Sequence, residues 1–352
     1  MYATMEESAS MATARALAER HGTQGIESGQ LPVLEEQVCA EAGIWAPDAA
    51  RRAIAQAGGD VPQAVSLLKV WSAALPHLES VPVQREDVRL VRRLSSAYAE
   101  IPGGQWLGYA PELASRMLTW EETDGVEQAL PGGGETPARE EATPATGETA
   151  DDAPSRAQTP RVRTLLRDVP VAATQEDGSG QDPAVSTPVP PYARATRLGV
   201  LARGETASLV AFAALVLSRR REAVLSEIST AVAGVRISHP RTGAFCKVAE
   251  VPVVEAEAII DTEVEGRAGF AVGWGASLGT IERRAISLAL LDGAMQADAE
   301  FNEPLAFDEQ TLISATDGSA NNGFVEHLRL PHYASFASYV AQAKAGWKGE
   351  TE

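Results

Sequence analysis

Residues 248–260, VAEVPVVEAEAII, carry the pattern that decides the fold class of this chain. β-Branched residues and an alternation of glutamate with apolar residues are typical of β-strands. Residues 233–238 and 269–275 have the same character, and helical patterns occur both before and after these segments. The sequence therefore predicts an α+β protein rather than an all-helical or all-β one.

The first part of the chain is predominantly helical in pattern. Asp60 stands as an N-cap, Pro62 lies in the first turn, and Pro76 ends an apolar stripe in residues 60–76, DVPQAVSLLKVWSAALP. Similar patterns predict helices over residues 8–21, 33–42 and 49–57. We therefore expect residues 1–120 to form a mostly helical N-terminal domain.

The last part of the chain mixes strands with helices. Beside the predicted strands, residues 197–221 are typical of a mostly buried helix. Residues 280–295 and 336–343 predict two further helices, the second of which closes the chain. We therefore expect residues 191–352 to form an α+β C-terminal domain.

Residues 121–190 separate these two domains. The run PGGGETPAREEATPATGETADDAPS is rich in Pro, Gly, Thr and acidic residues and poor in large apolar ones. Such a composition cannot bury enough surface to order itself, so it predicts a disordered acidic linker. Residues 162–169, VRTLLRDV, interrupt it and could dock as a strand or a helical turn. The linker is either a solvated tether or a peptide that docks a partner.

The composition excludes several functional classes. The 352 residues are 44% hydrophobic, enough for folded cores, whereas the net charge of −18 argues against nucleic-acid binding. Cys39 and Cys246 are too few for a disulfide framework or an iron–sulfur cluster, which takes about four thiolates. No segment approaches the ~20 apolar residues that span a bilayer, and the acidic start does not resemble a signal peptide. We expect a cytoplasmic protein without membrane contact.

Two histidines lie close together in residues 323–333, GFVEHLRLPHY. Pro331 interrupts a regular helix between His327 and His332, so a bend would have to bring the imidazoles together. Two histidines supply half of the about four ligands of a zinc site. A carboxylate such as Glu326, a substrate, water or another chain would complete it. Neighbouring histidines are more often packed or hydrogen-bonded residues than ligands, so the spacing alone leaves both interpretations open.

A glycine pair in residues 101–108, IPGGQWLG, marks a second candidate site. Gly103 and Gly104 allow positive φ and close approach of a ligand, so their amides could point at an anion. Gln105 offers both a donor and an acceptor. A Gly-Gly pair is most often only a turn, and phosphate contact by this loop is therefore a hypothesis.

Both segments resemble the PhnI family, the PhnI subunits of bacterial carbon–phosphorus lyase. Residues 323–333 are similar to the GFVxHLKLPHY-type segment with which members of this family close. Residues 92–108, RRLSSAYAEIPGGQWLG, are similar to its RRISA…IPGGQLLG segment, and the two matches occur in the expected order. Weaker similarities lie at residues 58–75, 197–204 and 282–292.

The resemblance implies a specific activity. Members of this family form a core complex with the PhnG, PhnH and PhnJ subunits, and PhnJ is the radical S-adenosylmethionine lyase that cleaves the carbon–phosphorus bond. The PhnI subunit is implied to act earlier, as a nucleosidase-type transferase that displaces adenine from ATP with an alkylphosphonate. The product would be ribose 1-alkylphosphonate 5-triphosphate. The resemblance also implies that His327 and His332 bind zinc at the contact with the lyase subunit.

This chemistry requires a carboxylate near the oxocarbenium-like sugar and cations near the phosphate groups. Asp317 and Glu326 are the candidate catalytic carboxylates, although capping or surface positions are the commoner role for such acids. Arg92, Arg93 and Arg203 are candidate substrate-binding residues together with the glycine loop. A salt bridge at a helix end is the alternative role for Arg203, which precedes a predicted helix.

The chain departs from the family pattern at two places. Residues 269–284, GFAVGWGASLGTIERR, keep only part of the family's RGYGLVFG-SERKA segment and insert residues between its glycines and the helix. Typical members have a Gly-Tyr-Gly stretch followed by an Asn-His-Pro-like element, whereas residues 218–230 read SRRREAVLSEIST. Arg219, Arg220 and Arg221 could take over phosphate binding or could simply cap a helix end. We therefore expect either a catalytic PhnI-type subunit or a scaffold that assembles the core complex and supplies the zinc half-site.

Overall fold

A computed structural model describes residues 31–76, 80–96, 165–172, 180–181, 183, 187–189, 192–219, 223–239, 241–297, 309–326 and 336–349. Helices and an antiparallel sheet occur together, which confirms the predicted α+β class. The predicted domain limits and the predicted disorder of residues 121–190 stay predictions. In the described residues, no helix is both long and apolar enough to cross a membrane.

Three helices form the first layer of the structure. They are α1 (Pro32–Ala42), α2 (Pro47–Gln56) and α3 (Val61–Ala73), and each has a proline in its first turn, where the missing amide costs nothing. The predicted N-cap is confirmed, because the Asp60 carboxylate accepts from the Gln63 backbone N–H at 2.8 Å. The predicted helix at residues 8–21 lies outside the described residues. The three helices enclose a core of Val38, Cys39, Ala50, Ile54, Val65 and Leu68.

Five described strands form one antiparallel sheet. The meander β3 (Val224–Ser238), β4 (Phe245–Val264) and β5 (Arg267–Leu278) contains all three predicted strands and extends each of them. β4 and β5 are joined by the two-residue turn at positions 265–266, where both residues have positive φ as in a tight hairpin. The short strand β1 (Ser80–Val81) and β2 (Val88–Ser95) pair with β3. Neither of these two strands was predicted from the sequence.

Two helices cover one face of the sheet. α6 (Glu282–Gln296) packs on β4 and β5, and α5 (Thr206–Arg219) packs beside it. The single helix predicted over residues 197–221 is wrong in one respect: it is two helices, α4 (Arg194–Leu201) and α5. The break falls where the backbone carbonyls of Ala202 and Gly204 turn to the side chain of Arg284 instead of continuing the helical ladder.

The last described elements complete the C-terminal part of the chain. α7 (Glu309–Thr316) and α8 (Gly318–Glu326) meet at Asp317, and α9 (Phe336–Gly349) begins where the closing helix is predicted and runs six residues beyond its predicted end at 343. Within the predicted linker, residues 165–166 form a single helical turn, and Val171 makes an isolated bridge to Phe270 of β5. Part of that segment therefore contacts the sheet.

Candidate functional site

A cavity of about 510 Å³ lies where the N-terminal helices meet the turn after α4 and the junction of α7 with α8. This volume is within the range of small-molecule sites, about 300–1,000 Å³. The residues that line it are Ala42, Lys69, Ser72, Ala73, Pro183, Thr187, Pro188, Val200, Arg203, Gly204, Ile313, Thr316 and Asp317. Because the lining comes from distant parts of the sequence, the cavity depends on the docking of α1 and α3 against the C-terminal elements.

The charged groups of this cavity are Lys69, Arg203 and Asp317. The ammonium of Lys69 lies 4.0 Å from the nearer carboxylate oxygen of Asp317, and both side chains are partly exposed, at 38% and 51%. Ion pairs with this exposure contribute little, about 0–1 kcal/mol, so a ligand could readily draw the lysine away. Two cations and one carboxylate around a cavity suit a ligand that has both anionic groups and hydroxyls.

Arg203 reaches the cavity from the turn between α4 and α5. Its Nη1 donates to the carbonyl oxygen of Pro183 at 2.9 Å. Its guanidinium passes over Gly43, the left-handed residue with φ +75° that ends α1. A Cβ at position 43 would lie 2.5 Å from Arg203 Nε, so glycine both permits the turn and leaves room for the arginine.

Asp317 lines the cavity and also caps a helix. Its Oδ1 accepts from the Ala320 backbone N–H at 3.2 Å, at the start of α8. The capping interaction considered as an alternative from the sequence is therefore present, together with the position beside Lys69. Capping fixes the orientation of the carboxylate, which a residue acting on a sugar would need.

Arg92 and Arg93 lie on β2 in ion pairs with the sheet and α6. Arg92 Nε donates to Glu282 at 2.7 Å, and Arg93 forms a two-pronged pair with Glu227 at 3.0 and 2.7 Å. All but Glu282 are buried. Neither arginine is among the described residues that line the cavity. Their role as substrate ligands stays a prediction, and any anion would have to compete with these carboxylates.

The remaining candidate residues are not brought into the cavity by the described structure. Glu326 is exposed at the far end of α8, whose nine residues span about 13 Å from Asp317. Gly103, Gly104, Gln105, His327 and His332 lie outside the described residues, as do Arg220 and Arg221. In the part of the chain that is described, no group of three or more His, Cys, Asp or Glu could hold a metal ion.

Two buried groups, Cys39 of α1 and Arg284 of α6, have shifted pKa values. Burial lowers the pKa of Arg284 to about 10, an effect that the nearby Glu41 carboxylate opposes. Burial raises the pKa of the Cys39 thiol to about 11, so Cys39 stays protonated at neutral pH and is no nucleophile. Cys39 also lies in the core of the three N-terminal helices and is not among the residues that line the cavity.

Lys69 was not predicted from the sequence as a site residue. It is the only charged residue in α3 and follows the apolar pair Leu67 and Leu68. A lone cation in an otherwise uncharged helix was a usable signal, but only the packing of α3 near α8 shows that it faces Asp317. Arg284 was also missed, because buried arginines are rare and the sequence gives no sign of the carbonyls that it binds.

The comparisons with known proteins agree with these motifs. The family model described as "Bacterial phosphonate metabolism protein (PhnI)" matches residues 3–347, nearly the whole chain. The chain belongs to the PhnI family. This confirms the resemblance found in the two sequence segments, and the match extends across the altered stretch at residues 218–230 as well.

Three relatives are identical to this chain at about a third of the aligned positions. The alpha-D-ribose 1-methylphosphonate 5-triphosphate synthase subunit PhnI of Escherichia coli (strain K12) is 33% identical over 326 residues, covering 90% of this chain and 86% of the relative. The putative C-P lyase subunit protein HtxH of Stutzerimonas stutzeri is 31% identical over 318 residues, covering 88% and 83%. A synthase subunit PhnI of Rhizobium meliloti (strain 1021) is 30% identical over 321 residues, covering 87% and 81%.

Proposed function

We propose that this chain is the nucleosidase-type catalytic subunit of an alpha-D-ribose 1-methylphosphonate 5-triphosphate synthase, acting within a carbon–phosphorus lyase core complex. The family membership and the names of two relatives support the reaction class. The observation that carries the assignment of a site is the convergence of Lys69, Arg203 and Asp317 on one cavity.

In the proposed reaction, an oxygen of the alkylphosphonate attacks the anomeric carbon of the ribose in ATP. The glycosidic bond from that carbon to the adenine nitrogen breaks, and its electron pair leaves with adenine. Adenine takes up one proton and departs, and the new carbon–oxygen bond gives ribose 1-alkylphosphonate 5-triphosphate. No oxidant or reductant is required, because the reaction exchanges one substituent of the sugar for another.

The cavity residues suit separate parts of this substrate. Arg203 can bind a phosphate or phosphonate in two-pronged fashion, and Lys69 supplies a second, more mobile positive charge. Asp317 would offset the positive charge that develops on the sugar as adenine leaves. The hydroxyls of Ser72 and Thr316 are further hydrogen-bonding groups for the ribose.

We test the role of Arg203 by replacing it with glutamine. Loss of charged hydrogen bonds to phosphate, about 1.5–3 kcal/mol, should lower kcat/KM for ATP by about 10- to 100-fold, mainly through KM. The measurement is adenine release from ATP with methylphosphonate by the chain co-purified with its PhnG-, PhnH- and PhnJ-type partners. Arg241→Gln removes the same charge from an exposed turn and serves as the control. An unchanged KM in Arg203→Gln would contradict the assignment of this cavity.

The zinc half-site at His327 and His332 is part of the same proposal. Two imidazoles are ligands that zinc prefers, and the remaining ligands would come from a partner subunit, substrate or water. When bound, zinc would polarise a sugar hydroxyl or phosphonate oxygen, or hold the ligand between two subunits.

We expect the assembled complex to contain about one zinc per copy of this chain and to lose it in both His327→Ala and His332→Ala, because either change leaves this chain with only one imidazole for an ion that takes about four ligands. Elemental analysis of the purified complex gives the zinc content directly, without depending on activity. His239→Ala, which removes an exposed histidine at the β3–β4 turn, is the matched control. Unchanged zinc in both histidine variants would show that the motif has a structural role only.

A second candidate function is a non-catalytic scaffold that assembles the core complex. The observation in its favour is the altered segment at residues 218–230, in which residues 218–219 end α5 and residues 224–230 begin β3. Ser226 and Ile228 of this segment are buried in the sheet rather than placed at the cavity. An intact complex that binds zinc but releases no adenine would favour the scaffold.

A further inference from the structure

A buried arginine forms hydrogen bonds with the turn that carries Arg203 to the cavity. Residues 202–205 connect α4 to α5, and Arg203 lies at their centre. Arg284 of α6 is fully buried directly beneath this turn. Its side chain is therefore shielded from solvent, while the side chain of Arg203 lines the cavity.

Arg284 binds the two carbonyl groups that flank Arg203. Its Nη2 donates to the carbonyl oxygen of Ala202 at 2.8 Å, and its Nη1 donates to that of Gly204 at 3.0 Å. Both carbonyls therefore point inwards to the guanidinium. This geometry fixes the peptide plane that precedes Arg203 and the one that follows Gly204.

The same guanidinium is anchored to the sheet and to the start of α5. Its Nε donates to Ser277 Oγ at 3.0 Å, and its Nη1 also donates to Thr206 Oγ1. Glu41 of α1 lies 3.6 Å from Nη1 and accepts from the Thr206 backbone N–H and hydroxyl at 3.0 and 2.6 Å. The Glu41 carboxylate thus offsets the buried charge and joins α1 to the turn.

We propose that Arg284 is a positioning residue for anion binding: it fixes the turn at residues 202–205 so that Arg203 points at the phosphate groups of the substrate. The inference rests on the binding function proposed for the cavity. In this proposal Arg284 does not contact the substrate itself, but it preorganises Arg203, which does.

The planar shape of the Arg284 guanidinium suits it to fixing the turn at residues 202–205. Its donors form a planar fork, so one group can bind two carbonyls and two hydroxyls at fixed angles. A lysine ammonium is a point donor on a flexible stem and cannot hold both the Ala202 and Gly204 carbonyls in the same way. Stability alone does not explain the choice, because buried ion pairs are often replaced by apolar residues without loss.

The test is a double-mutant cycle on the assembled complex, with Arg284→Lys, Arg203→Gln and the double variant. If Arg284 acts through Arg203, Arg284→Lys should lower kcat/KM for ATP by about tenfold or more in the native background, mostly through KM. In the Arg203→Gln background its further effect should be less than about twofold, because the residue that it positions is gone. Arg283→Lys, one position away on α6, is the control.

The outcomes separate this inference from the proposed function. If Arg203→Gln leaves KM for ATP unchanged, the assignment of the cavity is wrong and this inference is wrong with it. If Arg203→Gln lowers kcat/KM for ATP but Arg284→Lys does not, only the positioning role is overturned. The same holds if Arg284→Lys lowers kcat/KM equally with and without Arg203, since a general loss of structure would act regardless of Arg203.

A milder variant decides the question if Arg284→Lys does not assemble. Ser277→Ala removes the hydroxyl that accepts from Arg284 Nε and leaves the charge in place. We expect a smaller rise in KM for ATP, again only while Arg203 is present. A rise of equal size with and without Arg203, or no rise at all, would overturn the inference.

Discussion

A Gly273→Ala variant is expected to lose more than about 3 kcal/mol of its free energy of unfolding, out of the about 5–15 kcal/mol typical of a domain. A Cβ at this position of β5 would lie 1.9 Å from the Ala289 carbonyl oxygen and 2.5 Å from the Gly293 backbone nitrogen. Both are backbone atoms of α6, so no change of side-chain rotamer relieves the clash. The helix itself would have to move away from the sheet.

Chemical unfolding followed by circular dichroism would measure this loss, together with the yield of soluble protein. Gly346→Ala is a suitable control, because position 346 lies in exposed α9 and a Cβ added there would meet no described atom within 4 Å. There the same substitution should be neutral or stabilise the helix by up to about 1 kcal/mol. Equal stabilities for Gly273→Ala and the native chain would mean that α6 does not lie this close to β5.

The close packing of α6 on β5 also bears on the cavity. Gly275 of β5 makes a similar approach, since a Cβ there would lie 2.5 Å from the Ala289 backbone nitrogen. The helix held at this distance carries Arg284, which binds the turn of Arg203. A displacement of α6 would therefore be expected to alter both stability and the placement of the anion-binding arginine.

The elements that sequence predicted best were those with a local pattern. The strand at residues 248–260 shows its alternation in the sequence and lies inside β4, and Asp60 caps α3 as its spacing to Pro62 indicates. In each case the physical cause is contained in a few neighbouring residues. Local hydrogen bonding and side-chain alternation were enough to identify them.

The elements that sequence missed depend on distant partners. β2, VRLVRRLS, contains three arginines, so its sequence is typical of an exposed polar segment. Arg92 and Arg93 are nevertheless buried, because they pair with Glu282 and Glu227. Those partners lie 190 and 134 positions away in the chain. The break between α4 and α5 has the same kind of cause, since the carbonyls at the break are taken by an arginine of another helix.

The candidate site was predicted in part. Arg203 and Asp317 were selected separately from the sequence, and the structure brings both to one cavity. Their chemistry made them candidates, but their proximity follows from tertiary packing that no spacing rule contains. Lys69 completes the set because α3 packs beside α8, a contact that only the fold reveals.

The ion pair between Arg93 and Glu227 should be costly to break by replacing only one of its two residues. Both side chains are at most 5% exposed, and Glu227 lies directly across the β3–β4 pairing from Glu257, a second buried glutamate. Arg93→Met would leave these two neighbouring carboxylates in the sheet without that guanidinium. The expected loss is about 3–5 kcal/mol of unfolding free energy.

Chemical unfolding of three variants would test this: Arg93→Met, the double variant Arg93→Met with Glu227→Leu, and Arg89→Met. The double variant should recover much of the loss, because the buried charge is removed with its partner. Arg89 is exposed on the same strand, so its replacement should change stability by no more than about 0.5 kcal/mol.

Adenine release by the same complexes separates the two hypotheses for Arg93. Native stability with a raised KM for ATP would favour the role of substrate ligand that was predicted from the sequence. A large loss of stability that Glu227→Leu relieves would instead identify Arg93 as the counter-charge that allows β2 to join the sheet.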